Sequence, residues 1–269
     1  MRTPPYPSDL TNDQWSVLAP LLPPTPDKGR RRQTDLRDVL NAIFYLNRAG
    51  CPWRMLPRDF PPWRTVYNYF EAFKQDGAWV NILTALRQQV RVAAGRQPTP
   101  SAGSIDSQSV KAGGPGEQHG TDGGKRVKGR KRHIVVDTMG LLLGVVVTAA
   151  NVDDAAGAQA VLQQLLKQPF PRLRLLWADS KYHNYALEEW LDAHAQFTIE
   201  VVSRPKGQRG FVLLPKRWVV ERSLAWLERC RRNSKDYERL PPSSAAMIQI
   251  SMIQLLLHRL RPSRPSARS

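Results

Sequence analysis

Apolar residues recur with a helical period over 34–51, where Leu36, Val39, Leu40, Ile43, Phe44 and Leu46 fall on one face. Thr34 is the expected cap and Gly50 the expected stop. The same period predicts a short helix over 10–23, with Thr11 and Gln14 as a capping box and Trp15, Leu18 and Leu22 as its stripe. A third helix is predicted over 63–77, with Val66, Phe70 and Phe73 inward, and a fourth over 79–94. A basic loop (23–32) and a proline-punctuated turn (51–63) connect the first three. Three short helices with tight basic connections have the layout of a helix-turn-helix module, and the same pattern also describes a plain helical bundle.

The pattern changes after the Pro- and Gly-rich stretch "GRQPTPSAG" (95–103). A strand is expected over 104–110, then a glycine-rich polar loop over 111–132. Two β-rich runs within 133–154 flank Thr138, Met139 and Gly140 and read as a hairpin. Beyond it come a helix (155–168), a strand over 173–182 that ends in Asp179, a helix (184–194), a strand (197–204) and two helices (216–232 and 243–260). A hairpin beside β-α-β connections predicts a mixed α/β sheet. Asp137, Asp153 and Asp154 read as turn and cap residues.

Charge adds a partner. The chain of 269 residues carries a net +17, distributed as +6 over 1–100, +3 over 101–179 and +8 over 180–269. Basicity spread this way suits a polyanion held along a groove or on several surfaces, and nucleic acid is the commonest such partner. The two cysteines, Cys51 and Cys230, form no CxxC pair, which excludes a zinc site built on such pairs. The amino terminus lacks a signal-peptide core, and the longest nearly apolar run (140–150) is too short to span a bilayer. A soluble cytoplasmic protein associated with the nucleoid is expected, with no membrane partner.

Chemistry in open α/β sheets gathers where strands end. Two buried strands here carry an acid at that place, in Ile105-Asp106 and Trp177-Ala178-Asp179. Glu221 lies on an amphipathic helix one turn from Arg217, with Glu228 on the same helix as its rival. Carboxylates of this kind hold Mg²⁺ or Mn²⁺ through hard oxygen ligands, and two such ions serve phosphodiester displacement. Ser107 and Ser109 have no nearby His, which disfavours a serine nucleophile. His133 is open to a phosphate-holding or a structural role.

The quoted runs "LTNDQWSVLAPLLPP", "SIDSQSVK", "GRKRHIVVDTMGLLLGVVVTAANVDD", "LLWADSKY" and "RWVVERSLAWLERCRRNSKDYE" resemble insertion-sequence transposases of the DDE type, in the group named after insertion sequence five. The resemblance covers nearly the whole chain. It implies an RNase H-like catalytic fold, two Mg²⁺ or Mn²⁺ ions, and cleavage and transfer of DNA strands at terminal inverted repeats. Its catalytic and metal-holding acids fall on Asp106, Asp179 and Glu221. Of the related signature Tyr-x₂-Arg-x₃-Glu-x₆-Lys, Arg217 and Glu221 match, while Leu214 and Glu228 depart. Ser180 and Lys181 stand where relatives often have a glycine pair.

The expected organisation is a helical DNA-binding domain (1–95), a linker (96–103), a catalytic domain (104–261) and a disordered basic tail (262–269). Expected contacts with double-stranded DNA, both terminal repeats and target, are Arg30, Arg31, Arg32, Arg54, Arg64, Lys111, Lys125, Arg126, Lys128, Arg130, Lys131, Arg132, Arg217, Arg222 and Arg229. Holding two ends together implies a homodimer or larger assembly on DNA. The alternatives are a nuclease of the same fold that cuts without joining, and a non-catalytic DNA-binding protein such as a repressor or decayed transposase.

Overall fold

Capping chemistry and helical period agree through the first hundred residues. The computed structural model describes residues 6–24, 33–203 and 214–262. The chain falls into two units, Met1–Arg96 with Cys230–Asn233 and Ala246–Ser269, and Gln97–Arg229 with Ser234–Ala245.

In the first unit, α1 (Asn12–Leu18) opens on the expected capping box. Gln14 N–H donates to Thr11 Oγ1 at 3.1 Å, and Thr11 N–H donates to Gln14 Oε1 at 3.2 Å. Helix α2 (Leu36–Ala49) is capped by Asp35 and not by Thr34: Arg37 N–H donates to Asp35 Oδ1 at 2.8 Å. A carboxylate beats a hydroxyl there because it also complements the positive end of the helix dipole. Gly50 ends α2 at φ 77°, a conformation that disfavours any residue with a Cβ. Helices α3 (Trp63–Gln75) and α4 (Ala78–Ala93) follow. Val39, Ile43, Phe44, Val66, Phe70, Trp79, Ile82 and Leu86 are buried. The later part of the last helix belongs to the same unit. Asn47 Nδ2 donates to Met247 O at 3.0 Å, and Ser251 Oγ donates to Asn47 Oδ1 at 3.0 Å. Buried polar groups satisfied in this way fix the register of packed helices.

The second unit is built on a mixed sheet. Its strands among the described residues are β1 (Ala102–Lys111), β2 (Gly120–Asp122), β3 (Val127–Asp137), β4 (Leu142–Ala149), β5 (Leu175–Ala178) and β6 (Thr198–Val201). Strand β3 lies antiparallel to β1 on one edge and to β4, then β2, on the other. Strand β5 is parallel to β1 and to β6. Helices α5 (Asp154–Leu166) and α6 (Tyr185–His194) cover one face with Ala158, Val161, Leu162, Leu187 and Leu191, packed on Ile105, Val135 and Leu176. Helix α7 (Pro215–Glu228) packs on β1 and β3, and α8 (Pro241–Leu260) closes the described chain. The hairpin between β3 and β4 turns as expected: Asp137 Oδ1 accepts from Met139 and Leu141 N–H at 2.8 and 2.9 Å.

One segment departs from expectation. The stretch 111–132, read as a polar loop, contains β2 and the start of β3. Charge hid the strand, because Arg130, Lys131 and Arg132 look like a solvated run yet are buried. Arg130 is paired by Asp236 at 3.0 Å and donates to the carbonyls of Glu117, Glu238 and Arg239 at 2.7–2.8 Å. Removing one member of a fully buried pair leaves the other charge uncompensated. Asp236→Ala should therefore cost about 3–5 kcal/mol in urea unfolding. Lys128→Ala, on the exposed neighbour, should stay within about 0.5 kcal/mol. Equal effects at the two positions would contradict this account of β3.

Candidate active site

Side chains of β1 alternate, and the alternation sorts the site. Ile105 points into the core under α5 and α6. On the other face, Ser104 Oγ donates to Lys216 O at 2.6 Å and Gln108 Nε2 donates to Glu228 Oε1 at 3.0 Å. These two bonds lay α7 along β1. Asp106 lies midway between the anchors on the strand, and Glu221 lies near the middle of the helical stretch between Lys216 and Glu228.

Asp179 follows β5, the parallel neighbour of β1. Its Oδ1 accepts from Lys181 N–H at 2.9 Å and closes a turn over Ser180–Tyr182. Arg217 stands between the acids, with Nη2 3.9 Å from Asp179 Oδ2 and 3.8 Å from Glu221 Oε1. Its charge also reaches Asp106. Two of the three acids proposed from sequence, Asp179 and Glu221, thus flank one guanidinium, and its charge reaches the third.

Burial pushes the Asp106 carboxylate from its ordinary 3.8 up to about 6. The Ser107 N–H, 2.7 Å from Asp106 Oδ1, opposes the rise; the Asp179 charge adds to it; Lys125 and Arg217 oppose it more weakly. Tyr182 is buried beside the same acids, and burial with the charges of Asp106, Asp154 and Asp179 drives its hydroxyl well above the usual range.

As the side chains stand, no three Asp, Glu, His or Cys among the described residues close on a single point that would hold a metal ion. The donor chemistry nevertheless fits a hard divalent cation. Asp106 is a desolvated carboxylate with too little positive charge around it, and Asp179 and Glu221 supply further oxygens.

The cations divide into groups. Arg30, Arg31 and Arg32 lie outside the described residues. Arg54 and Arg64 are exposed in the helical unit, with the Arg54 guanidinium 5.6 Å from the Trp63 ring centre. Lys111, Lys125, Arg126 and Lys128 are exposed around the β2–β3 turn, and Arg229 is exposed after α7. Ser109 Oγ and Lys125 N–H both donate to Asp122 and hold its carboxyl down to about 2; the Lys125 ammonium is 3.4 Å from Ser107 O. Arg130, Lys131 and Arg132 are instead turned inward, because Asp236, Asp154 and backbone carbonyls take their heads. Arg222 donates to Met139 O at 3.2 Å and holds the β3–β4 turn to α7. His133 is fully buried, bonded through Nε2 to Thr148 Oγ1 at 3.0 Å. Burial lowers its pKa to about 4, so it is neutral and serves the sheet. Contrary to the expectation of a turn or cap role, Asp154 does not cap α5: Asp153 does, and Asp154 turns in towards Ser107 and Lys131. Nothing in an Asp-Asp pair at a helix start marks that difference.

Residues 97–256 match the family model described as "Transposase DDE domain". The chain belongs to this DDE transposase family. Residues 10–83 match a second model, "Putative transposase of IS4/5 family". Among curated proteins, the chain is similar to the "Putative transposase for insertion sequence element IS402" of Burkholderia cepacia, 31% identical over 140 residues. That match covers 49% of this chain and 65% of the relative, so the chain spans less than two thirds of the relative's length. The mixed sheet with flanking helices is the RNase H-like fold expected of a DDE transposase. Among the described residues, no helix is long and apolar enough to cross a membrane.

Because its folded pKa is raised, Asp106 opposes folding when ionised. Below about pH 4 the carboxyl is neutral in both states and costs nothing; the cost grows between about 4 and 6 and is complete above. In metal-free buffer Asp106→Asn should stabilise the protein by about 1–3 kcal/mol at about pH 8 and by almost nothing at about pH 3.5. Urea unfolding at both pH values checks this. A loss of stability at the higher pH would refute burial as the cause of the shift.

Proposed function

We propose that this protein is a DNA transposase that binds the terminal inverted repeats of an insertion sequence, cleaves at their ends and joins them to target DNA. What carries the reading is the placement of Asp106 within β1, Asp179 just past the parallel neighbour β5 and Glu221 on α7, with Arg217 between Asp179 and Glu221 and its charge reaching Asp106. Family membership sets the reaction class.

Asp106, Asp179 and Glu221 would hold two Mg²⁺ or Mn²⁺ ions. When bound, such ions supply activation of water or a 3′-hydroxyl and stabilisation of the leaving oxygen. The chain's own groups do the rest. Arg217 lies beside Asp179 and Glu221 and offsets part of their combined charge, and its guanidinium can turn from them to a phosphate oxygen. Lys125, near Asp106, meets the phosphate from the β2–β3 turn, with Lys111, Arg126 and Lys128 along the adjoining backbone. Arg229 extends that surface past α7.

Residues 1–95 form the module that reads the terminal repeat, through Arg54 and Arg64 and, outside the described residues, Arg30, Arg31 and Arg32. The catalytic domain, expected over 104–261, is the unit Gln97–Arg229 with Ser234–Ala245, since Cys230–Asn233 and the residues from Ala246 onward belong to the helical unit. Two copies or more assemble on DNA so that both ends of the insertion sequence are held together, in the cytoplasm at the nucleoid.

The test uses a supercoiled plasmid bearing this gene with its flanking DNA, incubated with the full chain and Mg²⁺ or Mn²⁺. Nicked, linear and joined products are expected, and chelation should abolish them. Asp106→Asn and Asp179→Asn should each slow cleavage by at least about 10³-fold. Their affinity for the same DNA should stay within about threefold, since phosphate contacts dominate binding. Glu228→Gln should cleave at close to the wild-type rate. Cleavage without joining would make the protein a nuclease, and binding without cleavage would leave a DNA-binding protein only.

A further inference from the structure

Asp154 stands at the start of α5 but does not act as its cap. Asp153 fills that position, accepting from Ala155 N–H at 2.8 Å. The Asp154 side chain, 9% exposed, turns towards Ser107 on β1 and Lys131 on β3. Its Oδ1 accepts from Ser107 Oγ at 2.6 Å and lies 3.1 Å from Lys131 Nζ. Its Oδ2 lies 3.5 Å from Lys181 Nζ. Burial alone would raise its pKa, but the Ser107 hydroxyl and the Lys131 and Lys181 ammoniums outweigh burial and keep it ionised. Lys131 is itself fixed by Val152 O at 2.8 Å.

Two of these partners are also the residues that clamp the site carboxylates. Ser107 gives its hydroxyl to Asp154 and its N–H to Asp106. Lys181 gives its ammonium to Asp154 and its N–H to Asp179. The geometry has a reason. Pairing between β1 and β5 stops at Ser104 and Trp177, so no ladder bonds join the two strands where the acids emerge. Beyond that point Ser107 is held from its other side by the ladder to β3, opposite His133, and Lys181 by the turn after β5, but no pairing joins the one to the other.

We propose that Asp154 is a positioning residue that couples the Asp106 and Asp179 carboxylates by holding Ser107 and Lys181 from one buried point. The inference rests on reading Asp106 and Asp179 as the reacting acids, on which Asp154 acts through Ser107 and Lys181. A group of this kind sets ligand orientation, and its loss weakens metal binding by about 10–100-fold.

The test compares wild type, Asp154→Asn, Ser107→Ala and Lys181→Ala by hydrogen exchange of the full chain, by Mn²⁺ binding followed through electron spin resonance, and by plasmid cleavage. In Asp154→Asn, exchange at the amides of Ser107 and Lys181 should quicken at least about tenfold, with β3 and β4 amides unchanged. Mn²⁺ affinity should fall at least about tenfold, and the cleavage rate should fall with DNA affinity unchanged. Each single-tie variant should loosen its own side: position 107 in Ser107→Ala, position 181 in Lys181→Ala. These two variants decide the matter if Asp154→Asn does not fold. Unaltered exchange at both amides, or uniform acceleration through the sheet, overturns the inference. If the wild type neither binds Mn²⁺ nor cuts the plasmid, the transposase reading fails while the amide pattern still decides the role of Asp154.

Discussion

The period of two along β1 sends Ser104, Asp106 and Gln108 towards α7 and Ile105 and Ser107 to the opposite face. Hydrophobic burial fixes that choice, because Ile105 belongs to the core beneath α5 and α6 and a one-residue slip would exchange the faces. Once it is fixed, an ionisable side chain must stand where sheet meets helix. Asp106 is therefore desolvated by the packing that makes the sheet stable. Its raised pKa is a consequence of its address in the fold.

The site responds to that burial with cations delivered from other elements. Arg217 comes from α7 and reaches Asp179 and Glu221. Lys125 comes from the β2–β3 turn, which Asp122 holds closed by accepting from Ser109 and from the Lys125 N–H. The ionised acid at position 106 is a liability for folding and an asset for binding positive charge. Such conflict between local stability and chemistry is usual where function resides.

The basic character of the chain also divides by burial. Arg130 joins β3 to Asp236 and to three carbonyls, so it is part of the framework of the sheet. Its neighbour Lys128 is exposed. Net charge thus overstates what faces a polyanion, since a buried, fully paired guanidinium adds little to the outer field.

The helices, the capping box at Thr11, the stop at Gly50 and the turn at Asp137 were legible in the amino-acid sequence because each depends on residues within a few positions. The mixed α/β class was legible for the same reason, and so was Asp179 just past β5, because an apolar run followed by an acid is a local pattern; Asp106, expected at a strand end, instead lies within β1, which runs on to Lys111 because β3 pairs with it that far. What only the tertiary structure decided is which charges turn inward. Arg130 and its partner Asp236 are 106 positions apart, and Ser107 and Asp154 are 47 apart. A side chain's environment is set by whichever distant segment packs against it, so the linear chain shows the charge but not the neighbour that decides whether water or protein receives it.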